Sequence, residues 1–499
     1  MNTQTSQMLE LLKNEANRTF TENGAETLST TQSDCLDLFA LGGALRDADE
    51  KRVQNIFMKA YAENPDYALK ILFYLRDVRG GLGERKTFRT MLKVLAENHK
   101  ESVVKNIDCI AEFGRYDDLL CLLKTPAKKD VLEAIKVMLL KDQKALEEGN
   151  EVSLLGKWLP SINASDKAVV KTAKTIATYM GMNCAQYRKL ISALRSKIKI
   201  IENNLRTKDY SFDYEKQTSK SLFKYRKAFA RNDAERYGSF MNKVEKGEAV
   251  LKTGSLYPYD VISSMFRNQW GEVYKGFSPE ERRVMNTTWC NLENFAGDKN
   301  ALVVCDVSGS MFGGGSPSPI EVAVSLAIYF AEKNKGMFNN HFITFSDRPK
   351  LIEIKGEDIV DKVDYVSRAE WSGSTNIEGV FDLILRTAVN NHLSQDDMPE
   401  NIYIISDMEF NYCTSNSKLT NFENAKRKFE QAGYELPNLV FWNVQSRQDN
   451  LPVSKNEQGV TLVSGASPRV FAMLKDDKLS PYEFMLSVIG NERYAKIVA

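Results

Sequence analysis

Asp306-Val307-Ser308-Gly309-Ser310-Met311 follows directly on the apolar run Ala301-Leu302-Val303-Val304-Cys305. In an extended segment, positions i, i+2 and i+4 project to one side. The carboxylate of Asp306 and the hydroxyls of Ser308 and Ser310 can therefore converge at the end of a short buried strand. Hard oxygen donors suit Mg²⁺ or Mn²⁺; Mg²⁺ takes roughly six of them at close range and keeps some as water. Two more segments carry matching donors. Trp371-Ser372-Gly373-Ser374-Thr375-Asn376 precedes an amphipathic run from Ile377 to Val389 and would offer the Thr375 hydroxyl at a helix start. Asn401-Ile402-Tyr403-Ile404-Ile405-Ser406-Asp407 reads as a second buried strand ending in an acid. Ligands of open parallel sheets gather outside the carboxyl ends of strands, so these three loops predict one metal site. The plainer reading, in which Ser308 and Ser310 only cap the next helix, leaves Thr375 and Asp407 unexplained.

The elements that must position these loops are apolar strands alternating with helices: 301–305, helix 320–334, 341–345, 350–354, helix 376–390, 401–406, helix 420–433, 438–444 and 459–463. Strands separated by helical patterns of about 10–15 residues predict a mostly parallel, doubly wound α/β sheet covered on both faces. Upstream, from Asp34 to Phe266, the apolar spacing is helical almost throughout, as in Val53-Ile56-Phe57-Ala60-Tyr61 and Val131-Ile135-Met138-Leu139. Breaks at Asn64-Pro65, Gly80-Gly81, Gly114, Thr125-Pro126, Gly149-Asn150 and Gly181 separate successive helices. At this length the pattern implies an all-α stacked array of degenerate, HEAT-like repeats. The expected division is a short helix with a loose connection over 1–30, a helical repeat domain over 31–275, a connector over 276–297, the α/β domain over 298–478 and a C-terminal helix over 479–499.

A chain of 499 residues has room for two or three domains. No run of about 18 apolar residues is present, so no membrane span is expected, and Met1-Asn2-Thr3-Gln4 does not begin a secretory leader. The seven cysteines form no C-x-x-C pair; the expectation is reduced thiols in the cytoplasm. With three histidines (His99, His341, His392) and no nucleophile-elbow pattern, serine or cysteine hydrolase chemistry has no support.

The net charge of +1 hides an asymmetry: between Asp166 and Lys252 there are 20 Lys and Arg against 9 Asp and Glu. Such an excess suits a polyanion. Tyr187, Tyr210, Phe212, Tyr214, Phe223, Tyr225, Phe229 and Tyr237 are interleaved with it and could stack on unpaired bases or form core. The densest run offers Lys220, Lys224, Arg226, Lys227 and Arg231, as phosphate contacts or as a solvated helix face. Arg76-Asp77-Val78-Arg79-Gly80-Gly81-Leu82-Gly83-Glu84-Arg85 joins two helices. A phosphate could bind there beside Arg79 and Arg85; alternatively it is a tight turn held by Arg–Asp and Glu–Arg pairs. The Lys-Ser/Thr pair of a Walker loop is missing.

The metal loops resemble the metal-ion-dependent adhesion site of von Willebrand A domains. That resemblance implies that Ser308, Ser310 and Thr375 bind the ion directly or nearly so, that Asp306 and Asp407 act through water, and that one position is left for an acidic group on a protein partner. Phe312-Gly313-Gly314-Gly315-Ser316-Pro317-Ser318-Pro319 departs from the pattern, as a flexible insert that could cover the ion or as a plain linker. Across the chain, Arg76 to Arg89, Tyr225 to Tyr237, Tyr257-Pro258-Tyr259-Asp260, Ser406-Asp407-Met408-Glu409-Phe410, Gly433-Tyr434-Glu435-Leu436-Pro437, Phe441-Trp442-Asn443 and Ser464-Gly465 identify it as a member of the family known as domain of unknown function 2828. Its architecture is similar to the Ro (TROVE) proteins, rings of helical repeats closed by a von Willebrand A domain that bind small non-coding RNAs and single-stranded RNA ends. The resemblance implies a non-catalytic RNA-binding protein with Mg²⁺ or Mn²⁺ bound. The competing expectation is a metal-dependent protein-interaction scaffold without nucleic acid. A metal-dependent hydrolase ranks last, because a single hydroxyl-rich site generates a nucleophile poorly.

Overall fold

The computed structural model describes residues 7–266, 272–297, 299–345, 348–368, 374–412, 419–473 and 479–499. The first half is helical, from Asp34–Gly42 to Pro279–Cys290. Its boundaries follow local chemistry. The Asn64 side chain accepts from the Tyr67 N–H and Pro65 opens the next helix, while Ser278 and Glu281 form a reciprocal cap ahead of Pro279.

The second half holds six strands in the order β5-β4-β3-β6-β7-β8: β3 Ala301–Cys305, β4 His341–Thr344, β5 Leu351–Glu353, β6 Asn401–Ser406, β7 Asn438–Asn443 and β8 Val460–Ser464. All neighbours are parallel except the edge strand β5, which runs antiparallel to β4. Helices Pro319–Lys333, Ile359–Ser367, Ile377–Asn390 and Asn421–Gln431 form the crossovers. From β3 the chain winds outward to β4 and β5, then returns to β6 on the other side and continues to β7 and β8. The direction of winding reverses between β3 and β6, where a crevice opens at the carboxyl ends of the strands. The register sets Cys305 opposite Ile405, so the residues after these strands emerge side by side.

The segment ahead of Asp34 is more ordered than a loose connection. Helix Gln7–Ala16 leads into an antiparallel hairpin of β1 (Arg18–Phe20) and β2 (Glu26–Leu28). Leu28 and Leu451 exchange backbone hydrogen bonds of 3.0 and 2.9 Å, and the Thr21 hydroxyl donates to the Phe410 carbonyl at 2.6 Å. Local propensity does not give three-residue strands; they form here because the far half supplies their pairing.

The two halves share one hydrophobic core. Their backbones cross where the Gly43 N–H donates to the Ser464 hydroxyl at 2.9 Å, and a Cβ on Gly43 would lie 2.7 Å from the Ser464 carbonyl oxygen. At the other end of the array, helix Pro258–Ile262 packs on Pro319–Lys333, and Pro279–Cys290 packs on Ile359–Ser367. The helical half is thus anchored on the sheet domain at both ends. The C-terminal segment, helix Pro481–Ile489 and a short turn Glu492–Tyr494, packs back onto the first half. There Arg493 and Tyr494 both donate to the buried Asp77 carboxylate.

Candidate functional site

Asp306 and Asp407 leave the carboxyl ends of β3 and β6 and flank the crevice between them; both are buried. The Asp306 N–H donates to the Ile405 carbonyl at 2.9 Å, which continues the strand pairing one residue into the loop. Asp306 Oδ1 accepts from the Ser308 N–H at 2.9 Å, and Oδ2 accepts from the Ser406 hydroxyl at 2.5 Å. The Ser308 and Ser310 hydroxyls lie 2.9 Å apart, so the alternation of oxygens does bring them to one place. Thr375 is buried, and its carbonyl accepts from the Asn411 N–H at 3.0 Å, which ties the third loop to the segment after β6. Trp371 to Gly373 of that loop, and Cys413, lie outside the described residues.

The electrostatics invite a cation. Burial, and then the nearby Asp407 charge, pushes the Asp306 carboxyl above its ordinary value. Burial also pushes Asp407 up, against the pull of Arg447 and the Ser310 hydroxyl. Two buried like charges repel strongly. Asp407 Oδ2 has no hydrogen-bond donor among the described residues. Arg447 comes within 3.2 Å of it, at an angle that makes an ion pair and no hydrogen bond. A buried carboxylate oxygen without a donor, near the Ser308 and Ser310 hydroxyls, is chemistry that suits a hard divalent ion. No group of three or more His, Cys, Asp and Glu side chains suited to a metal exists among the described residues, so any ion here depends on hydroxyls.

Several neighbours escape sequence reasoning. Ser406 is the residue that holds Asp306, and its hydroxyl also accepts from the Met408 N–H at 3.1 Å. Met408 adopts φ 65°, a left-handed conformation that a non-glycine residue takes at some cost. Arg447 pairs at 2.8 Å with Glu22 of the N-terminal hairpin, whose own N–H donates to the Glu409 carboxylate at 2.7 Å. The segment 312–319 is no free linker: the Gly315 N–H donates to Asp47 of the helical half at 3.0 Å.

The expected phosphate contacts separate into two sets. Arg79, Arg85 and Lys220 line one cavity of about 590 Å³ at the junction of the halves, together with Arg46, Arg115 and Lys86. Lys224, Arg226, Lys227 and Arg231 do not line it. Lys227 pairs with Glu281 at 2.8 Å, Lys224 lies over the Tyr225 ring, Arg226 turns onto Phe223 with its guanidinium 4.0 Å from the ring centroid, and Arg231 is exposed. Among the interleaved aromatics, Tyr214, Phe229 and Tyr237 pack with Phe240 in a second small core, and Tyr187 is fully buried. They are structural, not a stacking platform. A larger cavity of about 860 Å³ is lined by Arg188, Lys189, Arg195 and Arg206 with no acidic residue on its wall. Their spacing over two helices gives no local motif, and only the regional charge excess points to them.

Residues 21–148 and 163–294 match a family described as domain of unknown function (DUF2828), and residues 300–488 match another domain of unknown function (DUF7788). The uncharacterized protein L728 of Acanthamoeba polyphaga mimivirus is 30% identical over 522 residues, covering 95% of this chain and 87% of that protein. Among solved structures, the Ro (RSR) protein of Deinococcus radiodurans aligns over 92% of this chain and 100% of its own, with a TM-score of 0.39 and 12% identity.

Proposed function

We propose that this chain, which belongs to the DUF2828 family, is a non-catalytic RNA-binding protein whose helical half holds small or single-stranded RNA by its phosphates. The observation that carries the reading is the cavity of about 860 Å³ walled by Arg188, Lys189, Arg195 and Arg206 with no acid to neutralise them. It lies in the stretch with 20 basic against 9 acidic residues. Arg195 is held by the Gly156 and Leu159 carbonyls, and a hollow lined by cations of one sign focuses a positive field that draws a polyanion. With Tyr187, Tyr214, Phe229 and Tyr237 buried in the core, and Tyr210, Phe212 and Tyr225 packed against it, binding runs through backbone charge and sequence preference is weak.

In the same reading, Asp306, Ser308, Ser310, Thr375 and Asp407 hold Mg²⁺ at the sheet crevice. The ion would cancel the repulsion between the two buried acids and fix three loops together. Glu22 and Arg447 place the N-terminal hairpin against this site, so the ion also supports the packing of the first residues on the sheet.

Fluorescence anisotropy with a labelled single-stranded RNA tests the reading. The logarithm of the binding constant should fall linearly with the logarithm of salt, with a slope of about −0.7 per neutralised phosphate. Reversing Arg188, Lys189 and Arg206 to Glu should abolish binding while the circular dichroism spectrum is kept. Absence of binding at about 50 mM salt, where such contacts are strong, refutes it.

A further inference from the structure

The turn between helices Pro65–Arg76 and Lys86–Asn98 is wound tightly back on itself. The Leu82 N–H donates to the Tyr74 carbonyl at 3.2 Å and the Glu84 N–H to the Leu75 carbonyl at 2.7 Å. The sheet domain clamps the turn: Ser467 donates to the Gly81 carbonyl at 3.2 Å, and Arg469 to the Val78 carbonyl at 3.2 Å. This rigid turn forms one wall of the cavity of about 590 Å³; Lys220, Tyr257 and Tyr259 form another, and Ser316 and Pro317 of the sheet domain close a third side.

The charges on these walls do not balance. Glu84 is taken by Arg46 and Asp260 by Lys220. Asp117 and Asp118 are shared among Arg76, Arg89 and Arg115. Arg79 donates to a neutral group, the Glu112 carbonyl, at 2.9 Å. Arg85 and Lys86 have no hydrogen-bond or ion-pair partner on their side chains among the described residues. Burial, and then the like charges of Arg115 and Arg89, hold Arg85 below its ordinary value. Three cations, Arg79, Arg85 and Lys86, therefore face a preformed hollow without an acidic partner among the described residues. A phosphodiester carries one negative charge, whereas a phosphate monoester approaches two near neutral pH and suits a surplus of this size. The hollow exceeds a phosphate and is within the range of small-molecule sites, about 300–1,000 Å³. Tyr259, stacked on Tyr257 with centroids 5.7 Å apart, gives it a flat aromatic wall.

We propose that this junction cavity binds the phosphate monoester of a nucleotide, with Arg79, Arg85 and Lys86 on the phosphate and the Tyr257–Tyr259 wall beside the base. The site is separate from the cavity that carries the RNA reading above, and it stands whether the nucleotide is free or is the 5′-phosphorylated end of a strand.

Calorimetric titration of the full chain with AMP, adenosine, inorganic phosphate, and one hexaribonucleotide with either a 5′-phosphate or a 5′-hydroxyl tests it. AMP, the phosphorylated strand or both should bind at least tenfold tighter than their unphosphorylated counterparts. The double variant Arg85→Ala, Lys86→Ala should lose that preference with an unchanged melting temperature, since neither side chain makes a hydrogen bond or ion pair among the described residues. The exchange Arg85→Lys, Lys86→Arg should keep it. Preference for AMP alone assigns a free nucleotide, and preference in the strand alone assigns a strand end; each supports the proposal. Equal affinity with and without the phosphate overturns it, as does a preference that survives the double alanine variant or a phosphoserine peptide that binds tighter than any nucleotide. A hydroxyl-ended strand that fails to bind at low salt refutes the RNA reading and leaves this site standing. Strand binding with no preference for the phosphate in either the strand or AMP does the reverse.

Discussion

Mg²⁺ added to the metal-free protein should raise its thermal stability, and the gain should grow with pH. Asp306 and Asp407 are buried and both carboxyls are raised. The folded chain therefore binds their protons more tightly than the unfolded chain does. Stability from this pair is present at low pH and is lost as the pH rises from the ordinary 3.8 through the raised native values. A divalent ion cancels the two charges and reverses the loss. At a free concentration of about 100 times Kd, binding contributes about 2.7 kcal/mol. At about 2.1 cal/mol/K of unfolding entropy per residue, a chain of 499 residues whose halves share one core shifts by about 1 °C per kcal/mol, so the protein should melt roughly 3 °C higher. Asp306→Asn removes one of the two like charges. Its amide oxygen can still accept from the Ser308 N–H, while the contact with the Ser406 hydroxyl must reverse its direction. Without metal the variant should gain stability relative to the wild type as pH rises, and it should lose the Mg²⁺ response. Melting followed by circular dichroism at pH 5 and pH 8, in EDTA and in Mg²⁺, measures both effects. A wild-type protein indifferent to Mg²⁺ at pH 8, or an equal response from Asp306→Asn, would refute the reasoning.

Other perturbations follow from the same contacts. Arg447→Ala removes the cation that sits 3.2 Å from Asp407; Mg²⁺ should bind about two- to tenfold tighter by calorimetry, as expected from removing one partly exposed charge of about 1 kcal/mol, and weaker binding would mean that Arg447 positions Asp407 instead. Arg493→Ala leaves the buried Asp77 without its guanidinium. Because Arg493 is partly exposed, the cost in urea denaturation should be about 2 kcal/mol, below the roughly 3–5 kcal/mol of a fully buried pair. Hydrogen bonds from Arg493 help hold the Asp77 carboxyl below its ordinary 3.8 against burial, so this contribution is complete above that value and fades as the pH falls through the lowered one. Gly81→Ala would put a Cβ 2.0 Å from the Tyr74 carbonyl oxygen; backbone cannot yield as a side chain does, so the loss should reach about 3 kcal/mol or more, and a smaller loss would mean that the turn can rearrange.

What the sequence determined on its own was the order of the strands in the sheet half and the alternation of oxygen donors in the loops proposed to hold a metal, because both follow from short-range rules; helix Ile359–Ser367 was not legible in it. Apolar runs such as Ala301–Cys305 and Asn401–Ser406 mark buried strands, and Asp306, Ser308 and Ser310 alternate within a single extended stretch. The tertiary structure alone decided what these groups meet. Ser406 beside Asp306, and Arg447 and Glu22 beside Asp407, come from segments up to several hundred residues apart, and nothing local encodes such encounters. The short strands of the N-terminal hairpin exist because the sheet half completes their bonding, so their sequence alone reads as loop. The basic and aromatic stretch shows the same limit from the other side. Its composition permitted contact with a nucleic acid or core packing for the aromatics, and only burial separates Tyr214 and Phe229 in the core from Lys220 at the hollow. Burial is a property of the assembled chain, since the water that a side chain loses is displaced by residues far along the sequence.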